Sequence, residues 1–150
     1  MKTKQFFFAA LAIAMLATSC KENSFNPQVK VPDPEGTITV KVRNADNGKT
    51  IVEYMFYITK SNNFTGYYSG YEFVDYGAVR GLGNVVSIPK SGWADQVAVI
   101  PGHGYVMRHL SNGYYKYIRL YVVEEIVGAN TNGGIIGAVV KYQYPFEPTK

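Results

Sequence analysis

GYVMRHLSNGYYKYIRLYVV, residues 104–123, predicts two antiparallel strands closed by a turn at Asn112-Gly113. A two-residue type I′ turn needs positive φ at both central positions, and Asn-Gly tolerates this conformation best. The position of the turn fixes which residues lie opposite one another, and opposite residues share a face of the sheet. The predicted pairs are Leu110–Tyr115, Arg108–Tyr117, Met107–Ile118, Val106–Arg119 and Tyr105–Leu120.

The two faces of this hairpin differ in chemistry. One face is apolar and predicts the core side, with Tyr105, Met107, Ile118, Leu120 and Val122. The other mixes rings with cations and is the candidate ligand face, with Arg108, Tyr115, Tyr117, Arg119 and Tyr121. Its rings could stack on sugar rings while guanidinium groups hydrogen-bond hydroxyls. Alternatively, cross-strand Tyr and Arg pairs, including an Arg108–Tyr117 cation–π contact, stabilise the sheet or lie under a partner sheet.

The rest of the chain also reads as β structure. Short apolar alternations separated by turn residues predict strands at residues 37–43, 51–59, 72–79, 97–100 and 135–144. The first two are expected to pair antiparallel with each other, and residues 61–70 are expected to form a polar loop. About 110 residues follow Gly36, enough for one core. We therefore predict a single all-β domain, an antiparallel β-sandwich or barrel-like fold, at residues 36–147, with a tail at 148–150.

The N-terminus has the pattern of a secretory signal peptide. Lys2 and Lys4 precede an unbroken apolar run at residues 6–17, and the small residues Thr18 and Ser19 follow. The run is too short for a spanning helix, which needs about 20 residues. We predict that residues 1–19 are a signal peptide.

Cys20 is the only cysteine in the sequence. A secreted domain with one thiol cannot close an internal disulfide. Residues 16–20, LATSC, resemble the lipobox of bacterial lipoproteins, although the usual leucine position, three residues before the cysteine, is held by Ala17. The resemblance implies that Cys20 becomes the acylated first residue of the mature chain. The alternative is ordinary signal-peptidase cleavage after Ser19, which would release an unanchored protein.

Residues 20–35 are predicted to form an extended tether. This segment carries Pro27, Pro32 and Pro34, mixed charge and little apolar content. Removing Lys2 and Lys4 with the signal peptide leaves 13 basic residues against 11 acidic ones, a net charge of about +2. The basic residues form no run or stripe, which argues against a nucleic-acid partner.

One catalytic motif can be dismissed, and one tryptophan has two interpretations. Ser87 and Lys90 have S-x-x-K spacing, but Pro89 disfavours the helix that would place both on one face. Trp93 is interpreted either as an aromatic plug over the core or as a surface ring for a ligand, and tryptophan is usually largely buried.

The titratable residues form no recognisable site by their spacing. Glu124 and Glu125 are adjacent, so in a strand they face opposite ways and cannot act as a facing carboxylate pair. His103 and His109 offer too few ligands for a metal. We therefore predict a non-enzymatic protein with no cofactor and no metal.

Short motifs lie between residues 81 and 146: GLGN at 81–84, IP at 88–89, SGW at 91–93, VAV at 97–99, PGHGYV at 101–106, RLYV at 119–122, GGIIG at 133–137 and KYQYPF at 141–146. Together they resemble a family of uncharacterised Bacteroidetes lipoproteins. The resemblance implies the compartment but supplies no catalytic or binding residues.

The sequence thus favours a cell-envelope protein held on the outer membrane, at the cell surface or on the periplasmic face, by acyl chains on Cys20. Its domain is expected to bind or scaffold without catalysis, with a polysaccharide or an envelope protein as partner. The alternatives are a structural or assembly subunit of an envelope complex and a small envelope hydrolase. A long unprotected sheet edge would favour assembly, and a concave aromatic face would favour a ligand.

Overall fold

The computed structural model describes residues 35–43, 48–51, 54–129 and 132–148. The predicted signal peptide, Cys20 and all of the tether except Glu35 lie outside these residues. Everything described belongs to one compact unit, Pro34–Lys150.

Nine strands and one short 3-10 helix make up the described fold. The strands are β1 (Glu35–Lys41), β2 (Lys49–Ile51), β3 (Tyr54–Ile58), β4 (Asn63–Gly66), β5 (Tyr71–Ala78), β6 (Gln96–Ala98), β7 (His103–Ser111), β8 (Tyr114–Val127) and β9 (Ile135–Gln143). The 3-10 helix spans Leu82–Asn84. No helix in the described residues is long and apolar enough to cross a membrane.

The strands form two antiparallel sheets that pack against each other. The larger has the order β1-β9-β8-β7-β5, and the smaller has the order β2-β3-β4-β6. The main core lies between them and contains aliphatic residues from both sheets together with the interlocked rings of Phe56, Phe64, Phe73 and Tyr105. The fold is therefore an all-β sandwich, as predicted.

The central hairpin forms in the predicted register. β7 and β8 pair Arg108 with Tyr117 and Tyr105 with Leu120, and the three other predicted pairs are also present. Asn112 and Gly113 have φ of 50° and 82°, which are the left-handed values that the turn requires. The five residues of the predicted core side are fully buried: Tyr105, Met107, Ile118, Leu120 and Val122.

Two predictions for the N-terminal half were wrong, the partner of the first strand and the loop at 61–70, and the strand predicted at 51–59 was correct for β3. β1 pairs along its whole length with β9, and its link to β3 is a single parallel bridge between Val42 and Ile58. The strand predicted at 51–59 contains β3, in which Tyr54, Phe56 and Ile58 are buried on one face as predicted, and β3 pairs with β2 in the smaller sheet. The loop predicted at 61–70 contains β4, because the buried Phe64 fills the core and a left-handed Asn62 (φ 60°) turns the chain just before it.

A second, smaller cluster lies on the outer face of the larger sheet. Val74 on β5 and Val106 on β7 point away from the main core and contact Val85 and Phe146. Residues 79–93 and the segment after β9 therefore cover part of this outer face. The candidate ligand face of the hairpin lies beside that cover.

Candidate functional site

The Arg108 guanidinium contacts two aromatic rings and a carboxylate of the same protein. Its guanidinium carbon lies 4.1 Å from the ring centre of Trp93 and 4.2 Å from that of Tyr115. Its Nε donates to a carboxylate oxygen of Glu72 at 2.8 Å, and Glu72 stands directly opposite Arg108 in the β5–β7 pairing. The sequence placed the cation–π contact on Tyr117, whereas the rings that Arg108 contacts are Trp93 and Tyr115.

The pKa of Arg108 reflects this arrangement. Burial by itself would lower the pKa of the guanidinium, but the hydrogen bond and the negative charge of Glu72 outweigh burial, so the pKa is raised. Arg108 therefore remains charged, and its guanidinium lies between the Trp93 and Tyr115 rings and the Glu72 carboxylate.

Tyr115 and Tyr117 line a groove of about 390 Å³, which we name the tyrosine groove. Their ring centres are 6.2 Å apart, and Tyr117 lies 6.1 Å from Trp93, so the rings form one connected group. Tyr115 is 43% exposed. The groove is completed by Ile88, Lys116, Tyr144 and the C-terminal segment, residues 145–148.

Arg119 lies on the other side of the C-terminal segment, in a second groove of about 370 Å³ that we name the arginine groove. Its Nη1 donates to the Val85 carbonyl at 2.9 Å, and its guanidinium carbon lies 5.2 Å from the Phe146 ring centre. Its Nε is buried and has no hydrogen-bond partner. Among the described residues, no carboxylate lies within ion-pair distance of Arg119.

The C-terminal segment separates the two grooves. Pro145, Phe146, Glu147 and Pro148 line both of them. Phe146 is buried in the outer cluster, and its N–H donates to the Tyr117 carbonyl at 2.9 Å. The segment is therefore fixed to β8 at the position between the two candidate surfaces.

The structure thus separates the predicted ligand face into three parts. Arg108, Tyr115 and Tyr117 come together around the tyrosine groove, and Arg119 lines the neighbouring groove. Tyr121 is half-buried opposite Gly104 and Lys141 and lines neither groove.

Trp93 lies on the outer face of the larger sheet and not over the main core. It packs against the outer cluster, and its Nε1 donates to the Pro89 carbonyl at 3.2 Å. It is only half-buried, and its ring contacts Arg108 on the outer face rather than filling the main core.

The sequence analysis missed Glu72 and the C-terminal segment as parts of this site. Their proximity to Arg108 and the two tyrosines depends on pairing between distant strands.

A second group of rings surrounds Arg43 near the smaller sheet. The Arg43 guanidinium carbon lies 5.0 Å from the Tyr57 ring centre and 5.5 Å from that of Tyr67. Tyr68, 63% exposed, contacts Tyr67 edge-on at 5.2 Å. These rings line neither the tyrosine groove nor the arginine groove, so they provide a comparison surface for binding experiments.

His103 and Asp75 form a side-chain hydrogen bond that sequence spacing did not reveal. The His103 Nδ1 lies 2.9 Å and 3.0 Å from the two carboxylate oxygens. Within the described part of the chain, the other hydrogen bond of this pair runs from the Gly77 N–H to the Asp75 carboxylate at 2.8 Å. The described residues contain no group of three or more His, Cys, Asp or Glu side chains that could hold a metal ion.

Comparison with known proteins gives one match. The model of a family described as a domain of unknown function, DUF5036, matches residues 39–148, which include every strand except the start of β1. None of the curated proteins and none of the solved structures matches the chain.

Proposed function

We propose that this chain, which belongs to the DUF5036 family of domains of unknown function, is a lipid-anchored cell-envelope protein whose β-sandwich binds a glycan without catalysis. The tyrosine groove is the binding surface. The observation that supports this proposal most is the Tyr115 ring, which is 43% exposed and contacts the Arg108 guanidinium.

An exposed ring that is already fixed is well suited to sugar binding. The apolar face of a sugar ring stacks on an aromatic face, and a ring that is ordered before binding loses little entropy on complex formation. Arg108 orders Tyr115 at 4.2 Å, and Glu72 and Trp93 in turn hold Arg108.

The groove also has the size and composition of a small-ligand site. Its volume of about 390 Å³ lies within the range of about 300–1,000 Å³ that such sites occupy. Rings and prolines supply most of the wall, while Lys116 and Glu147 supply a few polar groups for hydroxyls.

The anchor is proposed on the N-terminal pattern. The pattern of a signal peptide is followed directly by Cys20, and acylation explains why the sequence has this single cysteine. Each buried methylene of an acyl chain contributes about 0.8 kcal/mol to membrane binding. Palmitate labelling of the wild-type protein, with Cys20→Ala moving from the membrane to the soluble fraction, is the expected result. A Cys20→Ala protein that stays in the membrane fraction would contradict the anchor.

Glycan binding is tested with a panel of soluble polysaccharides and the mature domain. Tyr115→Ala removes the exposed ring and should weaken binding at least tenfold, which corresponds to about 1.4 kcal/mol. Tyr68→Ala is the control, because it removes another exposed tyrosine ring, which follows β4 of the smaller sheet and lines neither groove. The proposal fails if no polysaccharide binds, or if the two variants lose binding equally.

One observation favours assembly as a second candidate function. Within the described residues, β5 is bulged and bridged to Ala94 and β2 and β6 are three residues long, whereas β1 is a seven-residue edge strand. Such an edge can accept a strand from another protein. If β1 is the contact, Thr39→Pro should abolish a complex isolated by cross-linking. A complex that survives Thr39→Pro would contradict assembly through β1.

A further inference from the structure

We propose that the arginine groove is an anion subsite, in which Arg119 binds the carboxylate of an acidic sugar whose neighbouring ring lies in the tyrosine groove. This inference rests on the proposed glycan-binding function and names the ligand class: a glycan that carries uronic acid.

The charge of Arg119 is poorly compensated in the protein itself. A partly buried guanidinium usually has a carboxylate partner, because transferring an unpaired charge from water is costly. Arg119 has one backbone carbonyl and one aromatic face, and its buried Nε has no partner. Arg108, two residue pairs away on the same hairpin, has Glu72. The difference marks Arg119 as the cation that a ligand could neutralise.

The donors of Arg119 suit a carboxylate. A guanidinium presents five N–H groups in a planar fork, which matches two carboxylate oxygens. Nη1 uses one of its protons on the Val85 carbonyl. Because Arg119 lines the arginine groove, its remaining Nη protons are the donors that a bound carboxylate would use.

The two grooves are placed to bind one continuous ligand. Tyr117 and Arg119 are two residues apart on one strand face, which corresponds to about 7 Å. Both grooves share the C-terminal segment as a wall. A sugar chain crossing this segment would therefore meet rings on one side and a guanidinium on the other.

Two further charges of opposite sign lie on the same outer face, and one of them lines the arginine groove. Lys141 is exposed on the same outer face, because it pairs with Tyr121 next to the Arg119–Gln143 pair. Glu147 is exposed and lines both grooves. Lys141 should attract an acidic sugar and Glu147 should oppose it, so Glu147→Gln should tighten binding of the acidic ligand about two- to fivefold by removing a like charge.

The test compares an oligogalacturonide with its methyl ester, which has the same rings and no charge. By calorimetry at low salt, the wild-type domain should bind the acid at least tenfold more tightly than the ester. Arg119→Gln should abolish that preference and change ester binding less than threefold, whereas Tyr115→Ala should weaken both ligands. Arg43→Gln removes an exposed cation near the other sheet and should leave the preference intact.

A folding control is needed because Arg119 also donates to the Val85 carbonyl. Arg119→Lys keeps the charge without the fork, and it should retain part of the preference for the acid. Variants are compared only after far-UV circular dichroism and Trp93 fluorescence match those of the wild-type domain.

The outcomes separate this inference from the proposed function. Equal binding of acid and ester, or a preference that survives Arg119→Gln, overturns the anion subsite and leaves glycan binding in place. If neither oligosaccharide binds, sodium glucuronate is titrated while the Arg119 Nε–H signal is followed by NMR. A shift of that signal supports the anion subsite and removes the proposed sugar surface; no shift overturns both.

Discussion

Gly104→Ala tests how residues 79–93 are seated on the outer face of the larger sheet. Gly104 is buried on β7, and a Cβ atom there would lie 2.4 Å from Cγ2 of Val85 and 3.1 Å from Cγ2 of Val79. Val85 is fully buried, and its β-branched side chain has little rotamer freedom with which to give way. The added methyl must therefore displace the covering segment.

The expected loss follows from this contact. Overpacking a well-packed site by one methyl costs about 1–3 kcal/mol. For a domain of this size the melting temperature should fall by about 4 °C per kcal/mol, hence by about 4–12 °C. Urea denaturation is followed by far-UV circular dichroism and by the fluorescence of Trp93, the only tryptophan, which packs against the same cluster.

Val85→Ala completes a double-mutant cycle with Gly104→Ala. By itself it removes two methyl groups at about 0.8 kcal/mol each and leaves a cavity, so it should cost about 2–3 kcal/mol. In the double variant the new methyl at position 104 occupies the vacated space, so the combined loss should be about 1–2 kcal/mol smaller than the sum.

Gly81→Ala is the matched control for this cycle. Gly81 has an extended backbone (φ 177°) and no atom within 4 Å of an added Cβ, so its substitution should change stability by less than about 0.5 kcal/mol. An unchanged urea midpoint for Gly104→Ala, or strictly additive losses in the cycle, would refute the proposed contact.

Four further substitutions test the core and the hairpin turn. Tyr105→Phe should cost about 1–3 kcal/mol at pH 7, because the hydroxyl accepts from Ile100 N–H at 2.9 Å and donates to the Ala98 carbonyl at 2.8 Å. Burial raises the pKa of Tyr105 well above its ordinary value. The contribution of the Tyr105 hydroxyl to the free energy of unfolding is therefore complete below about pH 10 and is lost as the pH rises further. In urea titrations at pH 11, the difference in free energy of unfolding between wild type and Tyr105→Phe should be about 1.4 kcal/mol smaller than at pH 7. Phe64→Ala should cost about 3–5 kcal/mol by the same assay, and a loss below about 1 kcal/mol would contradict its stacking on other core rings. Gly113→Ala should cost about 1–2 kcal/mol because φ is 82° there, whereas Asn112→Gly should be nearly neutral.

The features that the sequence predicted are those that local chemistry determines. Asn112-Gly113 defines a turn from two adjacent residues, and the turn then fixes the register of β7 and β8. Alternation within each strand identifies its buried face without any knowledge of its neighbours. This is why the all-β class and the core side of the hairpin were predictable.

What the sequence missed depends on contacts between distant strands. β1 pairs with β9 across almost the whole domain, and no local pattern specifies such a partner. The Glu72–Arg108 ion pair follows from the β5–β7 register, which includes a bulge between Asp75 and Gly77. Trp93 reaches Arg108 only because residues 79–93 fold back over the outer face.

The candidate face also shows why a mixed ring and cation pattern is ambiguous in a sequence. Arg108 and Tyr115 belong to the same surface, but one is committed to an ion pair and the other remains 43% exposed. Alternation places both on one side of the sheet and gives no information on what covers that side. The covering segments decide which residues of this face are buried in contacts and which remain exposed.

Residues 145–148 connect the proposed binding at both grooves with the stability of the domain. Phe146 is buried and hydrogen-bonded to the Tyr117 carbonyl, so residues 145–148 hold a fixed position between the two grooves. A change that loosens this segment, such as Phe146→Ala, removes a wall from both grooves and apolar area from the outer cluster. It should therefore reduce stability and weaken both neutral and acidic ligands. Tyr115→Ala and Arg119→Gln remove side chains that line one groove each and leave residues 145–148 unchanged, so each should affect one groove more than the other.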